Sequence, residues 1–146
     1  ERGAVIAAAA GNESSAVLYP AAYDAYVLAV TASNYDDAIA GFSNRGPAVD
    51  VAAPGVYIFS TVPRYYVGEG NPPYRFATGT SQATPHVAGL AALIVSAKPD
   101  LPPADVMNVI RYTADDINRA TYPGRDDFAG YGRINMERAL VPYILR

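Results

Sequence analysis

A long run of small and apolar residues at positions 81–98 constrains the fold of this 146-residue chain more than any other feature. Its apolar side chains, among them Ala83, Val87, Leu90 and Ile94, recur on almost every face of a helix instead of forming one stripe. A helix of this kind is stable only when other elements cover it on nearly all sides. The sequence therefore predicts a helix that runs through the core and ends before Pro99.

Three shorter apolar runs, at residues 4–10, 27–32 and 49–53, do not alternate with polar residues. Strands that are buried on both faces have this pattern, so the runs predict about three strands of a parallel sheet. Residues 57–62 and 74–78 flank a loop rich in glycine and proline, which predicts a β-hairpin. Only three residues precede the first run, and a domain that opens on a central strand suggests missing neighbours.

Two amphipathic helices are predicted near the C terminus. Pro102 and Pro103 open the first, and Asn135 caps the second. Apolar residues at helical spacing predict their buried faces: Val106, Val109, Ile110 and Thr113 in the first helix, and Met136, Ala139, Leu140 and Tyr143 in the second. The whole pattern is that of an α/β fold in which residues 1–146 belong to a single domain.

Composition narrows the class of function. The net charge is -3 and the basic residues are scattered, so no surface is predicted to bind nucleic acid. Without cysteines the chain has neither disulfides nor thiolate metal sites. The longest apolar run, residues 87–97, is too short to span a membrane, and no signal peptide is recognisable. A nucleotide-binding domain is discarded because no glycine-rich phosphate loop has the required spacing.

Two segments have the pattern of a catalytic site. Residues 79–89, GTSQATPHVAG, place Ser81 at a helix N-terminus, where unpaired backbone N–H groups and the helix dipole stabilise an oxyanion. An ordinary helix cap is the alternative interpretation of Thr80 and Ser81. Residues 8–13, AAAGNE, end a strand in Gly11 and Asn12, a pattern that fits a turn as well as a site.

Both segments resemble motifs of the subtilisin-like serine proteases, the subtilases or peptidase S8 family. Residues 79–89 are similar to the serine signature of that family, and residues 8–13 to its oxyanion-hole segment. Residues 42–55, FSNRGPAVDVAAPG, and 130–140, GYGRINMERAL, resemble structural segments of the same family in the same order. The resemblance covers nearly the whole chain and implies the C-terminal half of a three-layer α/β catalytic domain.

The resemblance implies an endopeptidase that forms an acyl-enzyme on Ser81, with the Asn12 amide in the oxyanion hole. It also implies an S1 pocket that favours a medium apolar side chain. An ordinary core position is the alternative interpretation of the pocket floor, Leu18. The substrate-binding residues implied in this way are Ala9, Ala10, Gly11, Leu18 and Thr80.

The triad of this family runs in the order aspartate, histidine, serine. No segment here resembles the aspartate or histidine motif, and the single histidine, His86, is interpreted as structural because the helix carries it away from Ser81. A serine without a base is a weak nucleophile, so the chain alone is predicted to be inactive. Its expected partners are a peptide or protein substrate and an N-terminal half that carries the aspartate and histidine. A non-catalytic scaffold that binds peptides or a partner chain is the alternative.

Three further expectations follow from the resemblance. Gln82 stands where many members have methionine, which predicts resistance to oxidation beside the nucleophile. Residues 19–30 resemble a loop that binds a cation through backbone carbonyls, here near Ala21, Tyr23 and Tyr26, although the loop is one residue longer. Calcium or a monovalent ion suits such carbonyls, and no cofactor is required. The family implies a secreted or extracellular protein.

Overall fold

A computed structural model describes residues 3–23 and 25–144. Strands β1 (Ala7–Ala9), β2 (Leu28–Ser33) and β3 (Val51–Pro54) form a parallel sheet in that order. Strand β2 has a neighbour on each side and all its residues are buried, whereas β1 lies at the edge and is only half-buried. The predicted sheet is confirmed, but the first strand is shorter than expected and is not buried on both faces, because among the described residues it has one neighbour.

The predicted hairpin is confirmed. Strands β4 (Ile58–Thr61) and β5 (Tyr74–Ala77) pair antiparallel, and a short 3-10 helix (Arg64–Tyr66) lies in the loop between them. Successive side chains of a strand point to opposite faces of the hairpin. Phe59 and Phe76 pair across one face with ring centres 4.9 Å apart, and both are largely exposed.

Helix α1 (Thr80–Ala97) packs across all three strands of the parallel sheet, and α2 (Pro103–Tyr112) and α3 (Met136–Ile144) pack against α1. Buried side chains of α1 meet those of the sheet and of the other two helices in one core. That core includes Val30, Val51, Val87, Leu90, Ile94, Val106, Ile110 and Ala139. No helix in the described residues is long and apolar enough to cross a membrane.

The predicted core helix is confirmed, but part of the α1 surface is uncovered in the described chain. Leu93 and Val95 are 47% and 41% exposed, and Ala88 and Ala92 of the same helix are exposed as well. An apolar pattern shows that a face needs cover, but it does not show which segment covers it. Met136 departs from prediction in the same way, since 40% of it is exposed at the start of α3.

The entry to α3 is held by a polar network. The Asn135 side-chain oxygen accepts the backbone N–H of Arg138 at 2.9 Å, which confirms the predicted cap. The Asp115 carboxylate binds Arg133 at 3.0 Å and Arg138 at 2.9 Å, and accepts the Asn135 amide at 2.9 Å. Burial raises the pKa of Asp115, but the hydrogen bonds from Asn135, Arg138 and Arg133 outweigh it and the pKa lies below its usual value.

Candidate active site

The N-terminus of α1 lies at the carboxyl end of the parallel sheet. The Gly79 N–H donates to the Gly55 carbonyl, just after β3, at 2.8 Å. Gly79 has φ +155°, a backbone conformation that residues with a Cβ rarely adopt, so glycine is favoured at this position. Since Asn12 follows β1, the two motifs come together at the edge of an α/β sheet where ligands usually bind.

Thr80 fixes the orientation of the Asn12 side chain. Oδ1 of Asn12 accepts hydrogen bonds from the backbone N–H of Thr80 at 2.9 Å and from its hydroxyl at 3.0 Å. The Thr80 hydroxyl oxygen in turn accepts the Gly11 N–H at 3.3 Å, and Thr80 is fully buried. With Oδ1 bound in this way, the exposed Asn12 amide keeps Nδ2 available as a donor.

Ser81 follows Thr80 directly and its side chain is exposed. Its hydroxyl and its backbone N–H have no hydrogen-bond partner among residues 3–23 and 25–144. The N–H groups of a first helical turn lack intrahelical acceptors and carry the positive end of the helix dipole. The Ser81 N–H and Nδ2 of Asn12 are therefore two unpaired donors beside one exposed hydroxyl, an arrangement that can stabilise an oxyanion formed by attack of that hydroxyl.

A buried amide, Asn44, holds the loop that carries Asn12. Its Nδ2 donates to the Ala10 carbonyl at 3.1 Å and to the Glu13 carboxylate at 2.8 Å, while its Oδ1 accepts the N–H of Glu13 at 2.9 Å and of Ser15 at 3.0 Å. The Glu13 carboxylate also accepts the Asn12 N–H at 2.8 Å. The family resemblance implied only a structural role for residues 42–55, and the role of Asn44 at the site is evident from its burial and its hydrogen bonds in the structure.

The model of the Subtilase family, Peptidase_S8, matches residues 1–132, most of the chain. The chain belongs to the subtilase family. Subtilisin amylosacchariticus from Bacillus subtilis subsp. amylosacchariticus is 45% identical over 142 residues, covering 94% of this chain and 34% of that protein. The thermophilic serine proteinase of Bacillus sp. (strain AK1) is 43% identical over 140 residues, covering 95% of this chain and 31% of that protein.

A solved structure agrees with this assignment. Fervidolysin from Fervidobacterium pennivorans, described as a keratinolytic enzyme related to subtilisin, superposes with a TM-score of 0.79 at 32% identity, covering 95% of this chain and 22% of that chain. The predicted α/β subtilisin-like fold is confirmed. This subtilase chain spans about a third of the length of the first curated relatives that it matches.

The residues predicted to form the S1 pocket lie next to one another. The Leu18 N–H donates to the Ala10 carbonyl at 3.0 Å, and the Leu18 side chain is 47% exposed, unlike an ordinary core residue. Gly11 has φ +111°, and a Cβ there would stand 2.2 Å from Nδ2 of Asn44. Glycine is therefore required between Ala10 and Asn12, where the strand turns into the site.

His86 lies one helical turn beyond Gln82. Its Nδ1 is 3.0 Å from the Gln82 carbonyl oxygen, a contact within α1, and the ring is half-buried. No histidine or carboxylate in the described part of the subtilase chain is hydrogen-bonded to Ser81. His86 thus has a contact inside its own helix, and within residues 3–23 and 25–144 no base is bound to the Ser81 hydroxyl.

Residues 19–30 form the loop predicted to bind a cation through backbone carbonyls. The Tyr23 carbonyl accepts the N–H groups of Tyr26 at 3.0 Å and Val27 at 3.2 Å. Ala25 lines a polar cavity of about 430 Å³ with Asp50, Arg111 and Arg125, and Arg111 is ion-paired with Asp50 at 2.7 Å. Within the described residues, no three His, Cys, Asp or Glu side chains form a metal-binding group, and Asp24 lies outside those residues. A cation held by carbonyls near Ala21, Tyr23 and Tyr26 stays a prediction.

Proposed function

We propose that this chain supplies the nucleophile and the oxyanion hole of a serine endopeptidase. The observation that carries the proposal is the contact between Oδ1 of Asn12 and Thr80, which leaves Nδ2 available beside the exposed Ser81. The Ser81 hydroxyl attacks the peptide carbonyl, and the resulting oxyanion accepts hydrogen bonds from Nδ2 of Asn12 and the Ser81 N–H. The C–N bond then breaks, the leaving amine takes up a proton, and water hydrolyses the acyl-enzyme.

Proton transfer needs a base from outside the described residues. The family resemblance implies a histidine oriented by an aspartate, on an N-terminal half of the same domain that includes residues 1–146. This half is part of the same polypeptide or a separate chain. Without it, the Ser81 hydroxyl keeps its proton during attack, and the chain alone is inactive.

The edge of the sheet is where we propose that the N-terminal half docks. Strand β1 has an unpaired edge, and beside it an apolar groove of about 510 Å³ runs along α1. Parallel sheets are normally covered and their strands paired, since an exposed apolar edge promotes aggregation. Pairing with β1 would cover both features. The groove is lined by apolar residues that include Val5, Ala7, Ala88, Ala92, Val95 and Leu101.

The substrate we propose is a peptide or protein with a medium apolar side chain before the scissile bond. That side chain would rest against Ala9, Ala10 and Gly11, with Leu18 at the floor of the pocket. The family assignment leads us to propose a secreted or extracellular protein. The other candidate, a scaffold that binds peptides without cleaving them, uses the same cleft and becomes an outcome of the test below.

A fluorophosphonate probe tests the proposal, because it labels serines that are activated as nucleophiles. The chain is incubated with the probe alone and together with the N-terminal half of a related subtilisin, and labelled residues are mapped by mass spectrometry. We expect labelling of Ser81 only in the mixture. Ser81→Ala should abolish it, and Ser60→Ala, which removes an exposed hairpin hydroxyl, should not.

The alternative outcomes are distinct. If the two halves bind each other but Ser81 is labelled in neither sample, the chain is a scaffold without this chemistry. If the label appears on another serine, or persists in Ser81→Ala, the nucleophile is wrongly assigned.

A further inference from the structure

A second groove begins at Ser81 and runs along the hairpin, and it shares no lining residue with the apolar groove beside β1. It has a volume of about 710 Å³ and lies between α1 and the hairpin face that carries Ile58, Ser60 and Ala77. It is therefore separate from the apolar groove proposed for the N-terminal half. Its lining also includes Arg75, Gln82, Pro85, His86, Leu93 and Met136.

The formal charge in this groove is positive. Arg75 is its formally charged lining residue, and no described aspartate or glutamate lines it. Within residues 3–23 and 25–144, Arg75 has no carboxylate partner. Its guanidinium lies 5.7 Å from the centre of the Tyr66 ring, a cation-π contact that holds the side chain without neutralising it.

The position of the groove indicates which part of a substrate would enter it. In the proposed function, the acyl side of the substrate rests on Ala9 to Gly11, at the β1 side of Ser81. Ser81 lines the groove beside the hairpin, and Ala9 to Gly11 do not, so the leaving-group side of the substrate would enter that groove. Arg75 is two residues before Ala77 on β5 and shares its face, so it stands about 7 Å farther along the groove. An extended peptide covers that distance in two residues.

We propose that Arg75 selects substrates with an acidic side chain at the second or third residue after the scissile bond. The proposal rests on the proposed function, because the direction of the substrate depends on it. An acidic side chain at that position would pair with a guanidinium that has no carboxylate partner of its own in the described chain. Arg75 is thus a specificity-determining residue, while the chemistry stays with Ser81 and Asn12.

The test uses internally quenched peptides that carry glutamate, glutamine or lysine at the second and third positions after the cleavage site. With the reconstituted domain, we expect kcat/KM to be about fivefold higher for glutamate than for glutamine, and the ratio to fall at 1 M salt. Arg75→Gln should abolish this preference and Arg75→Glu should reverse it toward lysine. Arg64→Gln, which removes an exposed arginine outside the groove, should keep it.

A binding measurement keeps the two proposals separate. The same peptides are titrated into the isotope-labelled 146-residue chain, and the side-chain Nε–H signal of Arg75 is followed by NMR. A shift that is larger for glutamate than for glutamine supports selection by Arg75. If the reconstituted domain also cleaves none of the peptides, only the proposed function is refuted. If the Ser81 nucleophile cleaves the glutamate and glutamine peptides at equal rates, selection by Arg75 is overturned and the proposed function stands.

Discussion

Asn44→Asp should destabilise the chain strongly at neutral pH although the two side chains have nearly the same shape. Aspartate can still accept the N–H groups of Glu13 and Ser15, as Oδ1 of Asn44 does. It replaces the donor Nδ2 by a carboxylate oxygen, which then faces the Ala10 carbonyl and the Glu13 carboxylate, where Asn44 has bonds of 3.1 Å and 2.8 Å. Two donated hydrogen bonds are lost and two like charges come into contact.

The magnitude follows from that geometry. Two unit charges about 4 Å apart repel by about 4 kcal/mol at an effective dielectric constant of about 20. The folded chain can avoid this repulsion by keeping a proton between the carboxyls, which raises the pKa of the pair above the value of about 4 in the unfolded chain. Holding that proton at pH 7 costs about 1.4 kcal/mol for each unit by which the pH exceeds the pKa of the unfolded chain. Both routes lead to a loss of about 3 to 4 kcal/mol.

The sign of the pH dependence distinguishes this mechanism from a general packing defect. Because the folded variant holds a proton that its unfolded chain releases, its stability relative to the unsubstituted chain should recover as the pH falls from 7 to 5. Asn44→Ala removes all four bonds of the side chain without adding charge, so its loss of about 2 to 4 kcal/mol should not depend on pH between 7 and 5. Urea unfolding monitored by circular dichroism measures both. A deficit of Asn44→Asp below about 0.5 kcal/mol, or one that is the same at both pH values, would refute the reasoning.

Three further substitutions test other parts of the site and fold. Asn12→Leu should lower kcat of the reconstituted domain at least a hundredfold with little change in KM, a magnitude established for subtilisin's own oxyanion-hole asparagine and not worked out from this structure. Asp115→Asn should remove a stabilising contribution that the chain has above about pH 4. The pKa of Asp115 is lower in the folded chain, so this contribution is lost as the pH falls through that pKa. In urea unfolding at several pH values, the stability of the variant should therefore fall less steeply toward acid pH. Gln82→Met should make activity sensitive to peroxide, whereas the unsubstituted domain, in which Met136 is exposed to the same oxidant, should keep its activity.

The fold could be predicted from the sequence wherever burial determines the pattern. Strand β2 is flanked on both sides and its residues are apolar or small, so the run without alternation identified it correctly. The same pattern extended the first strand over residues 4–6, although in the described chain only Ala7–Ala9 pair with β2. Periodicity indicates which residues require burial, and it contains no information about the segment that provides it. For this reason the exposure of Leu93 and Val95 could not be predicted.

The site was predictable to a different extent. The Ser81 and Asn12 motifs were recognised through the family resemblance, because the residues alone fitted a helix cap and a turn as well. The structure brings the two motifs together through Thr80. The positioning roles of Thr80 and Asn44 depend on contacts between segments far apart in the sequence, which no local pattern specifies. Polar residues in a short loop usually indicate a turn, and only the burial of Asn44 distinguishes it from one.

The contacts around Asn12 divide the chemistry of this subtilase into two parts that depend on different segments. Thr80 orients the Asn12 amide and Asn44 holds its loop, so the donors of the proposed oxyanion hole are already positioned within this chain. Electrostatic stabilisation of that kind needs no reorganisation during the reaction. Proton transfer from Ser81, by contrast, depends on a base from outside the described residues. Loss of the exposed Asn12 amide should therefore lower the rate of an assembled domain without weakening assembly, whereas changes along the β1 edge should weaken assembly and leave the rate at saturation unchanged.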